Sequence, residues 1–259
     1  MEVPYVVRCD ANGVATLTLN RGTQYNALSM AMIENLLASL DAIAKDDTVR
    51  VVVLAGDGKA FCAGHDLREM RTHPDKGFQQ KLFRLCGKLM IAITRLPQPV
   101  IARVHGIATA AGCQLVSMCD LAVAADTAKF AVSGINLGLF CSTPSVGLVR
   151  NMGRKAAFEM LVTGDFIDAV EAERRGLINR AVPLDALDAE IAELAALIVA
   201  KSSVAITMGK DLFYRQLEMG LESAYQLAAE TMACNMMTSD AQEGIEAFIN
   251  KRRPVFSGK

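Results

Sequence analysis

Two runs of small and β-branched residues, Val49–Ala55 and Val100–Val104, constrain the fold of this chain more than any other feature. A strand with one face in water alternates apolar and polar residues. These runs are dominated by Val, Ile, Leu and Ala without alternation, so both faces must be covered, the mark of a parallel sheet between helices. The intervening segments suit that role. Leu28–Lys45 carries Met32, Ile33, Leu36, Leu37, Leu40, Ile43 and Ala44 at helical spacing behind Ser29, a candidate N-cap. Phe78–Leu96 is helical by period until Pro97 and Pro99 stop it. The chain opens with Val3–Asp10 and Val14–Asn20 around Asn12-Gly13, a hairpin signal. The Gly56–Asp66 stretch and the segment after His105 read as loops, followed by a short helix near Gln114–Cys119 and strands at Leu121–Ala125 and Lys129–Val132. From Ser142 the pattern is helical except for a brief strand at Leu177–Val182, and Ser142-Thr143-Pro144 reads as a helix start. Strand, loop and helix in alternation give an α/β fold.

Composition narrows the function. At 259 residues the chain is expected to form one large domain, or one domain plus an appendage. With 27 Lys+Arg against 28 Asp+Glu, no cationic excess favours nucleic acid. No apolar run reaches the ~20 residues that span a bilayer, and the first residues lack a signal-peptide pattern, so a soluble protein is expected. The 7 Cys form no C-x-x-C pair and sit mostly in apolar runs, which suits free thiols and a cytoplasmic location. The 3 His show no ligand spacing, so no metal is expected. Met208, Met219, Met232, Met236 and Met237 lie on apolar stripes in the helical segments of Asp185–Lys259, which must pack on their own core or on another subunit.

Two loops could carry chemistry: KAFCAGHDL, Lys59–Leu67, and HGIATAAGCQL, His105–Leu115. Each follows a buried strand and is rich in small residues, which lets backbone N–H groups approach a ligand near a helix N-terminus. Together they could hold an anion or a developing oxyanion. Each alone is equally a tight turn filling a helix–sheet contact.

These loops, with NRGTQYNAL (Asn20–Leu28), FAVSGINLGLFCSTPSVG (Phe130–Gly147) and EGIEAFINKRRPVF (Glu243–Phe256), resemble in order and spacing the crotonase, or enoyl-CoA hydratase/isomerase, superfamily. The resemblance implies a ββα spiral core, expected over residues 1–190, and a C-terminal helical trimerisation region over residues 191–259. It implies an acyl-CoA thioester ligand, with coenzyme A present only as part of the substrate and no permanently bound cofactor. It further implies a homotrimer or a dimer of trimers. The backbone N–H groups that would bind the thioester oxygen fall at His65 and Ala111. Such preorganised donors are each worth about 3–4 kcal/mol toward an enolate. The coenzyme A contacts implied are Gln24, Tyr25, Ala63, His65, Asp66 and Leu67, with Lys251, Arg252, Arg253 and Phe256 near the phosphates and adenine.

The sequence departs from the family at the two positions that hydratases fill with glutamates, where it has Gln114 and Gly134. Neither supplies an acid or base, and each such group contributes about 10²–10⁴-fold. His65, Gln114, Asn136, Cys141, Ser142 and Thr143 are the polar groups left in the matching motifs. Three readings follow: an acyl-CoA enzyme of fatty-acid metabolism with altered activity, a non-catalytic acyl-CoA binder, and an enzyme resembling methylmalonyl-CoA decarboxylase that uses His65. Cys141 would be a nucleophile only if a helix N-terminus lowered its pKa.

Overall fold

The computed structural model describes residues 3–259. The Asn12-Gly13 pair, both at positive φ (53° and 78°), joins antiparallel β1 (Val6–Ala11) to β2 (Val14–Leu19) as expected. Helix α1 (Met30–Ile43) starts at Ser29, whose side chain accepts from the Met32 N–H at 3.2 Å. Next come β3 (Val51–Gly56), β4 (Ala60–Cys62), α2 (Leu67–Thr72), α3 (Lys76–Arg95), β5 (Val100–Val104), β6 (Ile107–Thr109) and α4 (Ala111–Met118). The chain continues through β7 (Leu121–Ala125), β8 (Lys129–Ala131), α5 (Ser142–Asn151), α6 (Arg154–Thr163), β9 (Ile167–Asp168), α7 (Ala169–Arg174) and β10 (Arg180–Val182). Four helices close it: α8 (Leu187–Val199), α9 (Ser203–Gln216), α10 (Leu221–Met236) and α11 (Ser239–Ile249).

Strands of successive turns go alternately into two sheets. The larger has the order β1-β2-β3-β5-β7-β10 and is parallel from β2 onward; the smaller has the order β4-β6-β8-β9. This is the ββα spiral that the family resemblance implies. The period of two explains why the β3, β5 and β7 runs do not alternate. Val52, Leu54, Ala102, Ala122 and Ala124 face the main core, whereas Val51, Val53, Ile101, Val123 and Ala125 face Leu187, Ile191 and Ala195 of α8. Both faces are therefore dry, each fully buried Val or Leu contributing about 1.5–3 kcal/mol.

Several expectations need correction. The stretches read as loops contain β4 and β6, each of three residues and too short to show a period. Helix α4 begins at Ala111, a turn earlier than read. Cys141, not Ser142, is the N-cap of α5, and it makes no side-chain capping bond. The brief strand after Leu177 is only β10. The boundary expected at residue 190 falls inside α8, which covers the larger sheet and so belongs to the core. No single helix among the described residues is long and apolar enough to cross a membrane.

The C-terminal helices are tied down by a polar network. Lys210 Nζ on α9 contacts Asp120 Oδ2 at 2.6 Å with side-chain exposures of 8% and 13%, and also donates to the carbonyls of Ile93 and Gln98. Asp120 further accepts from Tyr214 Oη and from the Val100 N–H, so it closes the start of β5. Burial pushes the Lys210 ammonium down, and the Asp120 charge opposes that shift. Removing one partner of a buried pair leaves an uncompensated charge. Lys210→Met is expected to lower unfolding free energy by about 3–5 kcal/mol in urea titrations; a change below about 1 kcal/mol, the range of surface pairs, would contradict this assignment.

Candidate active site

The first motif and the first loop are laid side by side by backbone pairing. Leu28 N–H donates to the Gly64 carbonyl at 2.7 Å and the Leu28 carbonyl accepts from the Asp66 N–H at 3.3 Å, forming a parallel bridge from Leu28 to His65. Backbone groups alternate sides along an extended segment, so the His65 N–H points away from Leu28. It has no acceptor among the described residues. Asn26, which the sequence reading missed, locks this arrangement. It is fully buried, and its Nδ2 donates to the carbonyls of Asp57, Ala60 and Phe61 while its Oδ1 accepts from the Arg21 N–H. Its only signal was an Asn between Tyr25 and an apolar run, where no helix or strand period explains it.

The second loop meets the first without side chains between them. A Cβ added to Gly64, whose φ is +92°, would lie 2.9 Å from Ala110 Cβ and 3.2 Å from Ala111 N. One added to Gly112 would collide with the Cys62 carbonyl oxygen. Only glycine permits this approach. The N–H that follows Gly64 is thus held beside the N–H that opens α4. The Ala111 N–H likewise has no acceptor among the described residues, as expected for the first residue of a helix. Ala110 is held at φ 50°, ψ −119°, a strained geometry for an alanine. Its own N–H donates to the Ala131 carbonyl at 2.9 Å, which fixes the turn against β8. Two free donors beside a helix N-terminus can bind a carbonyl oxygen that gains negative charge.

Polar side chains around this pair are few. Gln114 is 4% exposed, and its Oε1 is buried without a hydrogen-bond partner. His65 is half-buried, with its ring edge-on to Phe83 at 5.2 Å and its Nε2 buried and unpartnered. Burial lowers its imidazole to about 4, so it is neutral at pH 7. Cys141 is buried, its Sγ donates to the Val132 carbonyl at 3.4 Å, and burial pushes the thiol pKa up. It is a packed thiol, contrary to the condition for a nucleophile. A Cβ on Gly134 would lie 2.7 Å from Cys141 Sγ and 2.8 Å from the Leu139 carbonyl oxygen. Position 134 is therefore not only without a carboxylate but closed to a side chain.

The other candidates are scattered in role. Ala63 N–H donates to the Tyr25 carbonyl at 3.0 Å, which keeps Gln24 and Tyr25, both exposed, alongside the first loop. Asp66 caps α2 by accepting from the Arg68 and Glu69 N–H groups, and Leu67 is exposed. Asn136 and Ser142 are exposed and Thr143 is half-buried. His105 Nε2 lies 2.8 Å from the Gly58 carbonyl, and His73 stacks on Phe78. Lys251 and Phe256 sit with α11, which packs on α9 and α10 rather than on the loop pair. There the tail is latched by Asp240, which accepts from the N–H groups of Ser257 and Gly258, while Arg252 pairs with Glu243. Two grooves of about 840 and 1300 Å³ lie elsewhere, against α8 and between α3, α5 and α9, and neither is lined by His65, Ala111 or Gln114.

Two outcomes are expected. The unfolded state has an ordinary His pKa of about 6.5, so it takes up a proton first as pH falls. The His65 contribution to stability is complete above that value and is lost on descent toward pH 4. By NMR the His65 Cε1–H signal should not titrate from pH 8 to about pH 5; a midpoint near 6.5 would contradict its burial. Second, Gly134→Glu should not restore a working carboxylate but should destabilise by about 1–3 kcal/mol through overpacking, read as a fall in Tm. An unchanged Tm would show that Cys141 and Leu139 leave room.

The enoyl-CoA hydratase/isomerase family profile matches residues 10–259. Enoyl-CoA hydratase domain-containing protein 3, mitochondrial, of Rattus norvegicus is 44% identical over 246 residues, covering 95% of this chain and 82% of the relative. The crystal structure of an enoyl-CoA hydratase of Mycobacterium smegmatis superposes with a TM-score of 0.97 at 60% identity, covering 98% of this chain and 99% of that one. Human enoyl-CoA hydratase domain-containing protein 3 gives a TM-score of 0.95 at 40% identity, covering 97% and 100%. The chain belongs to the enoyl-CoA hydratase/isomerase family.

Proposed function

We propose that this chain binds acyl-CoA thioesters and polarises their carbonyl toward the enolate through the His65 and Ala111 N–H groups, in fatty-acid metabolism. The observation that carries the reading is the pair of unbonded amides brought together across Gly64. A thioester oxygen between them gains charge whenever a bond at the α-carbon forms or breaks, and donors fixed in advance need no reorganisation. Hydration by a pair of glutamates is not available here. Gln114 offers an amide oxygen that can accept a hydrogen bond from water but cannot take its proton, and the space beside Gly134 is filled by Cys141. Loss of one acid–base group costs about 10²–10⁴-fold, so hydration of crotonyl-CoA is expected to be slow or absent. A decarboxylase-like reaction would move charge from a carboxylate that leaves as CO2 onto the same thioester oxygen, and so would draw on the same amide pair.

The same reading includes assembly as a homotrimer or dimer of trimers. Helices α9 and α10 bury no residue fully within one chain, while Phe213, Leu217, Leu221, Tyr225 and Met232 are exposed on them. Such a surface suits a subunit contact. A neighbouring copy would be the source of Lys251 and Phe256 at the coenzyme A phosphates and adenine.

The test is removal of one amide. Proline is tolerated at the first residue of a helix, and glycine at position 110 relaxes the strained turn before it. Ala111→Pro in the Ala110→Gly background therefore deletes the N–H with least disturbance. Crotonyl-CoA is expected to raise the Tm of wild type and of Ala110→Gly more than free coenzyme A does. The double variant should lose that difference, together with about 10²–10³-fold of any turnover. Equal stabilisation of all three proteins, or rapid hydration untouched by the proline, would refute the assignment.

A further inference from the structure

Helix α3 contains five cations, Lys76, Lys81, Arg84, Lys88 and Arg95, and no Asp or Glu, in a chain whose net charge is −1. At 3.6 residues per turn, Lys81, Arg84, Lys88 and Arg95 fall within about 60° of one another, on a stripe about 21 Å long. The opposite side of the helix carries the buried Leu82, Cys86, Leu89, Met90 and Ile93. All four cations are exposed, and none has an ion-pair partner among the described residues. Like charges at i,i+3 and i,i+4 repel, so the stripe is unfavourable for the helix alone. On the neighbouring α2, Arg68 and Arg71 are exposed as well.

The helix that carries the stripe also touches the thioester site. Phe83, on the flank of α3 between the stripe and the core, holds its ring edge-on to His65 at 5.2 Å, and α2 starts two residues after His65. The charge of coenzyme A is concentrated on its one nucleotide, and a stripe of this length extends past what that group can reach. A lipid surface would require several apolar side chains to insert, and on α3 Ile91 alone is exposed, the rest being buried or half-buried. Single-stranded nucleic acid would require exposed aromatic platforms, and Phe78 and Phe83 are half-buried.

We propose that this face docks an acidic carrier protein that presents the acyl group as a phosphopantetheine thioester to the His65–Ala111 amide pair. The proposal rests on the thioester reading and adds the partner that delivers the substrate. The carrier's acidic surface meets the stripe, and its pantetheine arm, chemically the same as that of coenzyme A, reaches the site past Phe83.

The probes are an acyl carrier protein loaded with a crotonyl group, crotonyl-pantetheine, anionic phosphatidylserine vesicles and a single-stranded RNA. Wild-type protein should bind the loaded carrier with an affinity that falls as salt rises. Lys81→Glu/Arg84→Glu/Lys88→Glu should weaken carrier binding at least about tenfold and leave crotonyl-pantetheine binding unchanged, the latter also reporting that the variant is folded. The milder Gln triple variant should fall between the two. Pantetheine binding without carrier binding would overturn this proposal alone, and so would equal carrier affinity in wild type and variants. Retention of vesicles or RNA by this face more tightly than the carrier would also overturn it. Failure of wild type to bind crotonyl-pantetheine would overturn the thioester reading along with it.

Discussion

The close approach of two backbone segments that carry almost no side chain between them governs the rest of this structure. Cys62–His65 runs against Ala110–Gly112, with Gly64 facing Ala110 and Gly112 facing the Cys62 carbonyl. A Cβ at either glycine would force the smaller sheet away from the N-terminus of α4, and the two free N–H groups would separate. Around that contact the chain spends its polar interactions on position. Asn26 fixes β4 and the turn before it, the Ala110 N–H fixes the turn before α4, and Lys210 with Asp120 anchors α9 to the start of β5.

The framework was legible wherever a pattern was long enough to have a period. The hairpin around Asn12-Gly13, the helices after Ser29 and near Phe78, and the strands at Val51 and Val100 follow from alternation, capping and burial. Of the smaller sheet only β8 was legible, as the strand read at Lys129–Val132; β4, β6 and β9 are two or three residues long and their pairing partners come from distant turns of the spiral. Helix α8 reads as an appendage by position, yet three of its side chains complete the second face of β3, β5 and β7, a long-range fact that no local window contains.

The site was legible in part for the same reason. The small residues of the two loops marked them as places of close backbone approach, and the family motifs singled out His65 and Ala111 among them. What could not be read was the state of the side chains. Burial makes His65 neutral and Cys141 a packed thiol, and the space a glutamate would need at position 134 is occupied. Gln114 and Gly134 are thus different kinds of departure. The first keeps an oxygen at its position, buried and unpartnered; at the second, Cys141 stands over Gly134.

Oxyanion binding by two amides has a direct spectroscopic signature, since hydrogen bonds that polarise a carbonyl weaken its stretching mode. Difference infrared spectroscopy of crotonyl-CoA labelled with ¹³C at the thioester carbonyl, bound to this protein, reads that bond alone. The carbonyl band is expected to shift to lower wavenumber relative to free crotonyl-CoA in water. A bound ligand whose carbonyl band stays at its solution position would contradict the central claim that the His65 and Ala111 N–H groups hold the thioester oxygen.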